Sequence, residues 1–260
     1  MTDTLLNKRI YAQHYTNEQL RANPTTAYDA WLMRFRLGLI ERYGYGKSVM
    51  DLCCGNGVYL IPMLGLVERA VGVDFTRHFL DGFRNALGGN LPSHLTLVEG
   101  DATQLPFRDE TFDFIFSYCS LYSVPQVDNV LWEIGRTLRA GGRAAVELGN
   151  LYSLNTIVVQ ARHLESDWTK PCHIPYSNIR KYTKAAGLEV VEWRAFQLLP
   201  MHGPPKRLRV LYPLLSSWWK GPMGIQIGGR MLDEWISGSW PLRYFAFRHF
   251  LVLRKALGAA

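Results

Sequence analysis

The stretch Val49-Met50-Asp51-Leu52-Cys53-Cys54-Gly55-Asn56-Gly57 decides the fold. Its first half is a short apolar run that reads as a buried strand. Its second half breaks into Gly-Asn-Gly, where missing Cβ atoms let the main chain pass close to a ligand. A second apolar run, Arg69-Ala70-Val71-Gly72-Val73, ends on Asp74, nineteen residues after Gly55. That spacing fits a strand–glycine loop–helix–strand unit holding a nucleoside, with the carboxylate on the ribose hydroxyls.

A dinucleotide site needs a third glycine for close helix–strand packing. Here the run is Gly55-Asn56-Gly57-Val58-Tyr59-Leu60, and that glycine is missing. An acid, Asp51, also sits inside the apolar strand, where a carboxylate is costly without a partner. A cationic ligand such as a sulfonium bearing an α-amino group suits it; a pyrophosphate does not.

DLCCGNG resembles the first motif of the class I S-adenosylmethionine (SAM)-dependent methyltransferases: an acid, a small residue, then G-x-G. GVDF (72–75) is similar to the acidic loop after their second strand. EGDATQLPFRDETFDFIFS (99–117) resembles their adenine-side motif running into the fourth strand. LWEIGRTLRAGGRAAVE (131–147) is similar to their helix, Gly-Gly turn and fifth strand. The resemblance covers roughly residues 45 to 195 and is to the ubiquinone/menaquinone-methyltransferase-like (type 11) branch. It implies SAM as cofactor, S-adenosylhomocysteine as product, and no metal. Carried onto this chain, it implies a cofactor-binding set of Asp51, Cys53, Gly55, Asn56 and Gly57 in the loop, with Asp74 and Phe75 beyond the second strand. Asp101 would meet the adenine amino group and the Ala102 N–H a ring nitrogen. Ser117 and Tyr118 follow at the fourth strand's end, and Tyr11 and Tyr15 would lie over the methionine end. Cys53 stands where many members have glycine, which stiffens the loop at its first position.

The length, 260 residues, suits one α/β domain with additions. We expect N-terminal lid and helices over 1–46, a SAM-binding core over 47–196, a cap insertion over 197–242, and the last strand and tail over 243–260. A hydrophobic fraction of 48% supports a full core. No apolar run reaches the roughly eighteen residues of a membrane span. The opening MTDTLLNKRIYAQHY has no apolar signal core, so the expected location is cytoplasmic. Cys53, Cys54, Cys119 and Cys172 form no C-x-x-C pair and read as thiols.

The net charge is +7, and its placement is uneven. From Ala195 onward there are nine basic residues and two acids, so this quarter carries the whole excess. Such asymmetry suits anionic membranes, phosphorylated substrates or nucleic acid.

Helical spacing from Tyr28 to Ile40 predicts a helix begun at Pro24 and ended by Gly44 and Gly46. A helix is expected over Val58–Leu66, shortened or kinked by Pro62. Further helices are expected over Thr76–Leu87 and Val127–Leu138, and from Ser177 to Ala186. Strands are expected at 95–99, 112–117, 143–148 and 188–196, with an antiparallel strand seven at 244–255; residues 149–177 read as irregular. The fold class is therefore α/β: a Rossmann-like, seven-stranded, mostly parallel sheet with helices on both faces. Residues 199–242 hold six of the thirteen prolines and four of the eight tryptophans, and read as a cap of short helices.

The candidates for a catalytic base are His14, Tyr122 and His173. Tyr122 takes the first histidine position of the resembled S-x-x-x-L-H-H-V register. The acceptor expected is a small molecule, such as a phenol, quinone-like ring, sugar or natural-product intermediate, methylated on O, N or C. A nucleic-acid methyltransferase is disfavoured, since there is no N/D-P-P-Y/F motif and no Lys/Arg run in the basic quarter. A non-catalytic SAM-fold subunit is the other rival, against which the intact acidic and glycine set weighs. Residues 199–242 could also meet a membrane surface or an anionic substrate, and the chain could be a monomer or a homodimer.

Overall fold

The structure, a computed structural model, describes residues 10–11, 24–163, 171–201, 203 and 206–257. His14 and Tyr15, and most of the expected N-terminal lid, lie outside the described residues.

Helix α1 (Ala27–Gly44) starts at Thr26, whose hydroxyl accepts the Asp29 amide at 3.1 Å, and the Gly44-Tyr45-Gly46 turn reverses the chain into β1 (Ser48–Leu52). The remaining elements are β2 (Arg69–Asp74), α2 (Arg77–Ala86), β3 (Leu95–Glu99), β4 (Phe112–Ser117), α3 (Val127–Thr137), β5 (Leu138–Gly149), α4 (Leu154–His163), α5 (Tyr176–Ala185) and β6 (Leu188–Phe196). Beyond β6 come one-turn helix α6 (Lys220–Met223), a two-stranded ribbon of β7 (Gln226–Ile227) and β8 (Arg230–Met231), α7 (Leu232–Gly238) and β9 (Arg248–Lys255).

The main sheet has seven strands in the order β3-β2-β1-β4-β5-β9-β6. All neighbours are parallel except β9, which runs antiparallel to both β5 and β6. β6 therefore points the same way as β5, and the segment that leaves its carboxyl end starts at the same sheet edge as the glycine loop after β1. The strand order reverses between β1 and β4, the place where open α/β sheets bind ligands.

Strand alternation divides the core in two. Val49, Phe114 and Phe116 face α1, while Met50, Leu52 and Ile115 face α3 and α5. Both faces are covered, so β1 is buried along its whole length. Asp51 shares the α1 face with Val49.

Four sequence expectations change. The α-helix expected over Val58–Leu66 is a turn followed by a 3-10 helix over Ile61–Leu66, because Pro62 near its start has no N–H for an α-helical bond. Residues 149–177 are not all irregular: α4 occupies ten of them, with Ser153 Oγ accepting the Thr156 amide at 3.0 Å at its start. β5 is longer than expected, reaching back to Leu138 through an irregularity in its pairing with β4, and the last strand begins at Arg248 rather than Tyr244. The segment expected as a cap does consist of short helices, but its inner side is core. Met201, Met223 and Met231 are buried with α1 residues in one cluster.

Candidate cofactor and acceptor site

The chain leaves β1 through Cys53 at φ 60°, Gly55 at φ 53° and Gly57 at φ 81°. Left-handed backbone is free for glycine and strained for cysteine. At Gly57 a Cβ would also come within 2.5 Å of the Phe83 ring. The Cys54 N–H donates to Val73 O at 2.9 Å, which carries the β1–β2 pairing into the loop.

Asp74 clamps this loop to the end of β2. One carboxylate oxygen accepts the Gly55 amide at 2.9 Å and the other accepts the Thr76 amide at 2.9 Å. Ser117 ties β4 to β1 in the same way, its hydroxyl donating to Leu52 O at 2.7 Å. Asn56 is buried within the loop.

Asp51 is different. It is 2% exposed, and its Oδ2 has no hydrogen-bond partner. Burial and the nearby Asp74 charge push its carboxyl well above the usual range. A cationic ligand would supply the missing counter-charge. An orphaned buried acid beside a glycine loop too tight for a Cβ therefore fits a sulfonium cofactor.

Tyr11 crosses this edge of the sheet. Its ring meets Phe75 edge-on at 5.8 Å, and its hydroxyl donates to Ser123 Oγ at 3.0 Å. It thus links the loop after β2 to the loop after β4. Asp101 is exposed, and its Oδ1 accepts both the amide and the hydroxyl of Thr103, while Ala102 is buried. Tyr118 departs from its expected place: its ring is 4% exposed and stacks on Phe116 within the core, which leaves only its main chain for a ligand.

One buried charge cluster was missed in the sequence. Glu147, near the end of β5, is fully buried between Arg36 of α1, at 2.9 Å, and Arg248 of β9, which donates to its other oxygen. Burial alone would raise the Glu147 carboxyl, but the two guanidiniums outweigh it and hold it below the usual carboxylate range. Arg248 also donates to Gln197 Oε1 at 2.8 Å. Cys119, at φ 56°, lies beside this cluster, with its sulfur 3.6 Å from both Tyr59 Oη and Arg248. The signal was present: an acid inside the apolar run AAVEL demands a partner, by the reasoning already applied to Asp51.

Tyr122 and His173 come together, ring centroids 6.2 Å apart. Burial pushes the Tyr122 phenol well above its ordinary value, so it keeps its proton near neutral pH. Burial, with help from Arg248, lowers the His173 imidazole to about 4, so the ring is neutral near neutral pH. Its tautomer follows from its partner. The Thr156 hydroxyl gives its one proton to Asn150 O, so it accepts from His173 Nδ1–H at 2.7 Å. The Nε2 lone pair remains free to take a proton. Among the described residues no cluster of acids, histidines and cysteines could hold a metal ion.

This sheet order and glycine loop define a class I, Rossmann-like methyltransferase fold. The comparisons narrow it: residues 50–146 match the family model described as a methyltransferase domain. Within curated proteins the chain is similar to the demethylmenaquinone methyltransferase of Lactobacillus johnsonii, 35% identical over 105 residues, covering 39% of this chain and 43% of the relative. The match thus spans less than half of that relative's length. Two solved structures share the fold. A Haemonchus contortus phosphoethanolamine N-methyltransferase, in complex with phosphomonomethylethanolamine and S-adenosylhomocysteine, matches with a TM-score of 0.64 at 16% identity, over 96% of this chain and 60% of that one. The cyclase SpnF matches with a TM-score of 0.59 at 17% identity, over 98% of this chain and 93% of that one. The second shows that the fold alone does not fix the reaction.

Proposed function

We propose that this chain is a SAM-dependent methyltransferase acting on a small-molecule acceptor with a phenol- or quinone-like ring. The observation that carries the reading is the orphaned, buried Asp51 carboxyl beside the Cys53–Gly57 loop, whose strain lies at Cys53. Asp51 and Asp74 would hold the cofactor with the loop amides, and Tyr11 would cover it. Bound SAM supplies an activated methyl group. The protein's own work is then alignment and proton handling. His173 Nε2 would accept the proton of an acceptor hydroxyl or amine as the new bond forms. The Arg36–Glu147–Arg248 cluster fixes the charge beneath that site. The ring class is supported by the similarity to demethylmenaquinone methyltransferases, and the cap over 197–242 is the segment we expect to select it.

Titration calorimetry with SAM tests the reading. Binding by the native chain, lost in Gly55→Val, supports it; no binding by folded protein removes it. Mass spectrometry of demethylated quinols incubated with SAM then tests the acceptor class.

A further inference from the structure

Residues 210–245 form a two-sided layer. Its inner side holds Met223, Met231, Asp233 and Ser237, all buried. Asp233 accepts the Tyr28 hydroxyl at 2.5 Å and the Gln197 amide at 2.8 Å, which fastens the layer to α1 and the end of β6. Its outer side holds most of the exposed apolar side chains among the described residues. Twelve of the nineteen large hydrophobic side chains exposed among the described residues come from this run. Val210 is 85% exposed, Trp240 76% and Leu214 63%, with Trp218, Ile227 and Trp235 about half exposed. Exposed apolar surface on this scale marks an interaction site.

The charges sort by side as well. Asp233 and Glu234 are the only acids between Gln197 and Phe247, and both are buried. Glu234 is paired with Arg194 at 3.1 Å. Lys206, Arg209 and Arg230 are exposed. Between Gln197 and Phe247 six basic residues stand against these two acids, so the segment is net basic although Arg230 also reaches Glu234 at 3.6 Å. The indoles of Trp218 and Trp235 donate to carbonyls of their own segment, Pro213 O at 2.7 Å and Ile227 O at 3.1 Å, so no further polar partner is needed for their N–H groups.

We propose that this face docks on the surface of an anionic lipid bilayer. Tryptophans with aliphatic side chains suit the headgroup boundary, and lysine and arginine suit acidic lipids. A second copy of the chain would set two positive faces against each other. Nucleic acid would answer the charge but leave Val210, Leu214 and Ile227 without an apolar partner. No helix among the described residues is long and apolar enough to cross a membrane, so the contact is peripheral. The layer departs from the carboxyl end of β6, at the sheet edge that carries the glycine loop. Docking would therefore bring that edge near the lipid.

Vesicle sedimentation tests this, with phosphatidylcholine vesicles made with or without phosphatidylglycerol. The native chain should bind the anionic vesicles, lose binding in high salt, and show tryptophan quenching by bromine-labelled lipid. Val210→Glu combined with Trp240→Glu should lower the bound fraction at least tenfold, and Lys206→Glu with Arg209→Glu should do the same at low salt. Circular dichroism controls for folding. Equal binding by native and Val210→Glu/Trp240→Glu protein overturns the proposal, as does no binding by folded native chain. Dissociation of a dimer by the same variant in sedimentation velocity, without vesicle binding, assigns the face to a second copy. Retention on duplex nucleic acid in place of vesicles also overturns it.

Discussion

Arg36 and Glu147 lie 111 residues apart in sequence and meet at 2.9 Å in the interior. Arg248 takes the second Glu147 oxygen, so one fully buried carboxylate balances two largely buried guanidiniums. Removing that carboxylate leaves two buried like charges. Glu147→Gln should destabilise the fold by about 3–5 kcal/mol, the usual cost of breaking a buried pair. Urea unfolding midpoints check this; an unchanged midpoint would mean that Arg36 and Arg248 reach water.

Acid should weaken the protein well above the carboxylate range. The folded values of His173, about 4, and His249, about 3, lie below the ordinary 6.5. The unfolded chain then binds protons that the folded chain cannot, so stability is complete above pH 6.5 and falls as pH drops toward the folded values. At pH 5 each histidine should cost roughly 2 kcal/mol. Denaturant titrations at pH 7 and pH 5 measure the sum. A fold equally stable at both would show that these imidazoles protonate freely.

Asp74 supports the loop through Gly55 and Thr76, so its loss acts on cofactor binding both directly and through the backbone. Asp74→Ala should weaken SAM binding about ten- to a hundredfold, a loss of roughly 1.5–3 kcal/mol. Asp51→Asn should also weaken SAM binding, yet unfold at higher denaturant, because it removes a buried unpaired carboxylate. Calorimetry and urea melts on the same samples separate the two effects. Native SAM affinity in both variants would empty the site of its proposed role.

The loop residues should respond to substitution in opposite directions. Gly57→Ala places a methyl group in left-handed backbone against the Phe83 ring and should cost about 2–4 kcal/mol. At Cys53 the strain is already present. Cys53→Gly should therefore be more stable than Cys53→Ala by about 1 kcal/mol. Thermal midpoints of the three variants test this; a less stable Cys53→Gly would show that the native loop is unstrained there.

The sequence determined what is local. Two short apolar runs, a Gly-Asn-Gly break and Asp74 at a fixed spacing specify a strand–loop–strand unit, because each feature acts within a few residues of itself. Asp51 was legible as an anomaly for the same reason: a carboxylate in an apolar strand is costly wherever the strand lies. Pro62 announced trouble for the helix after the loop but not its outcome, since a 3-10 turn and a kink satisfy the same local rule. Only the tertiary structure decided which groups meet. Arg36, Glu147 and Arg248 come from a helix, a parallel strand and the antiparallel strand, and nothing in their spacing predicts contact. His173 owes its neutrality to burial and Arg248, and its tautomer to Thr156, on a helix within a stretch whose sequence reads as irregular. Residues 199–242 read as a cap from composition alone, but the division of 210–245 into a buried acidic side and an exposed basic, apolar side arises from how the layer packs on α1 and β6. Charge pairing and burial are properties of neighbours in space, and the fold is what selects those neighbours.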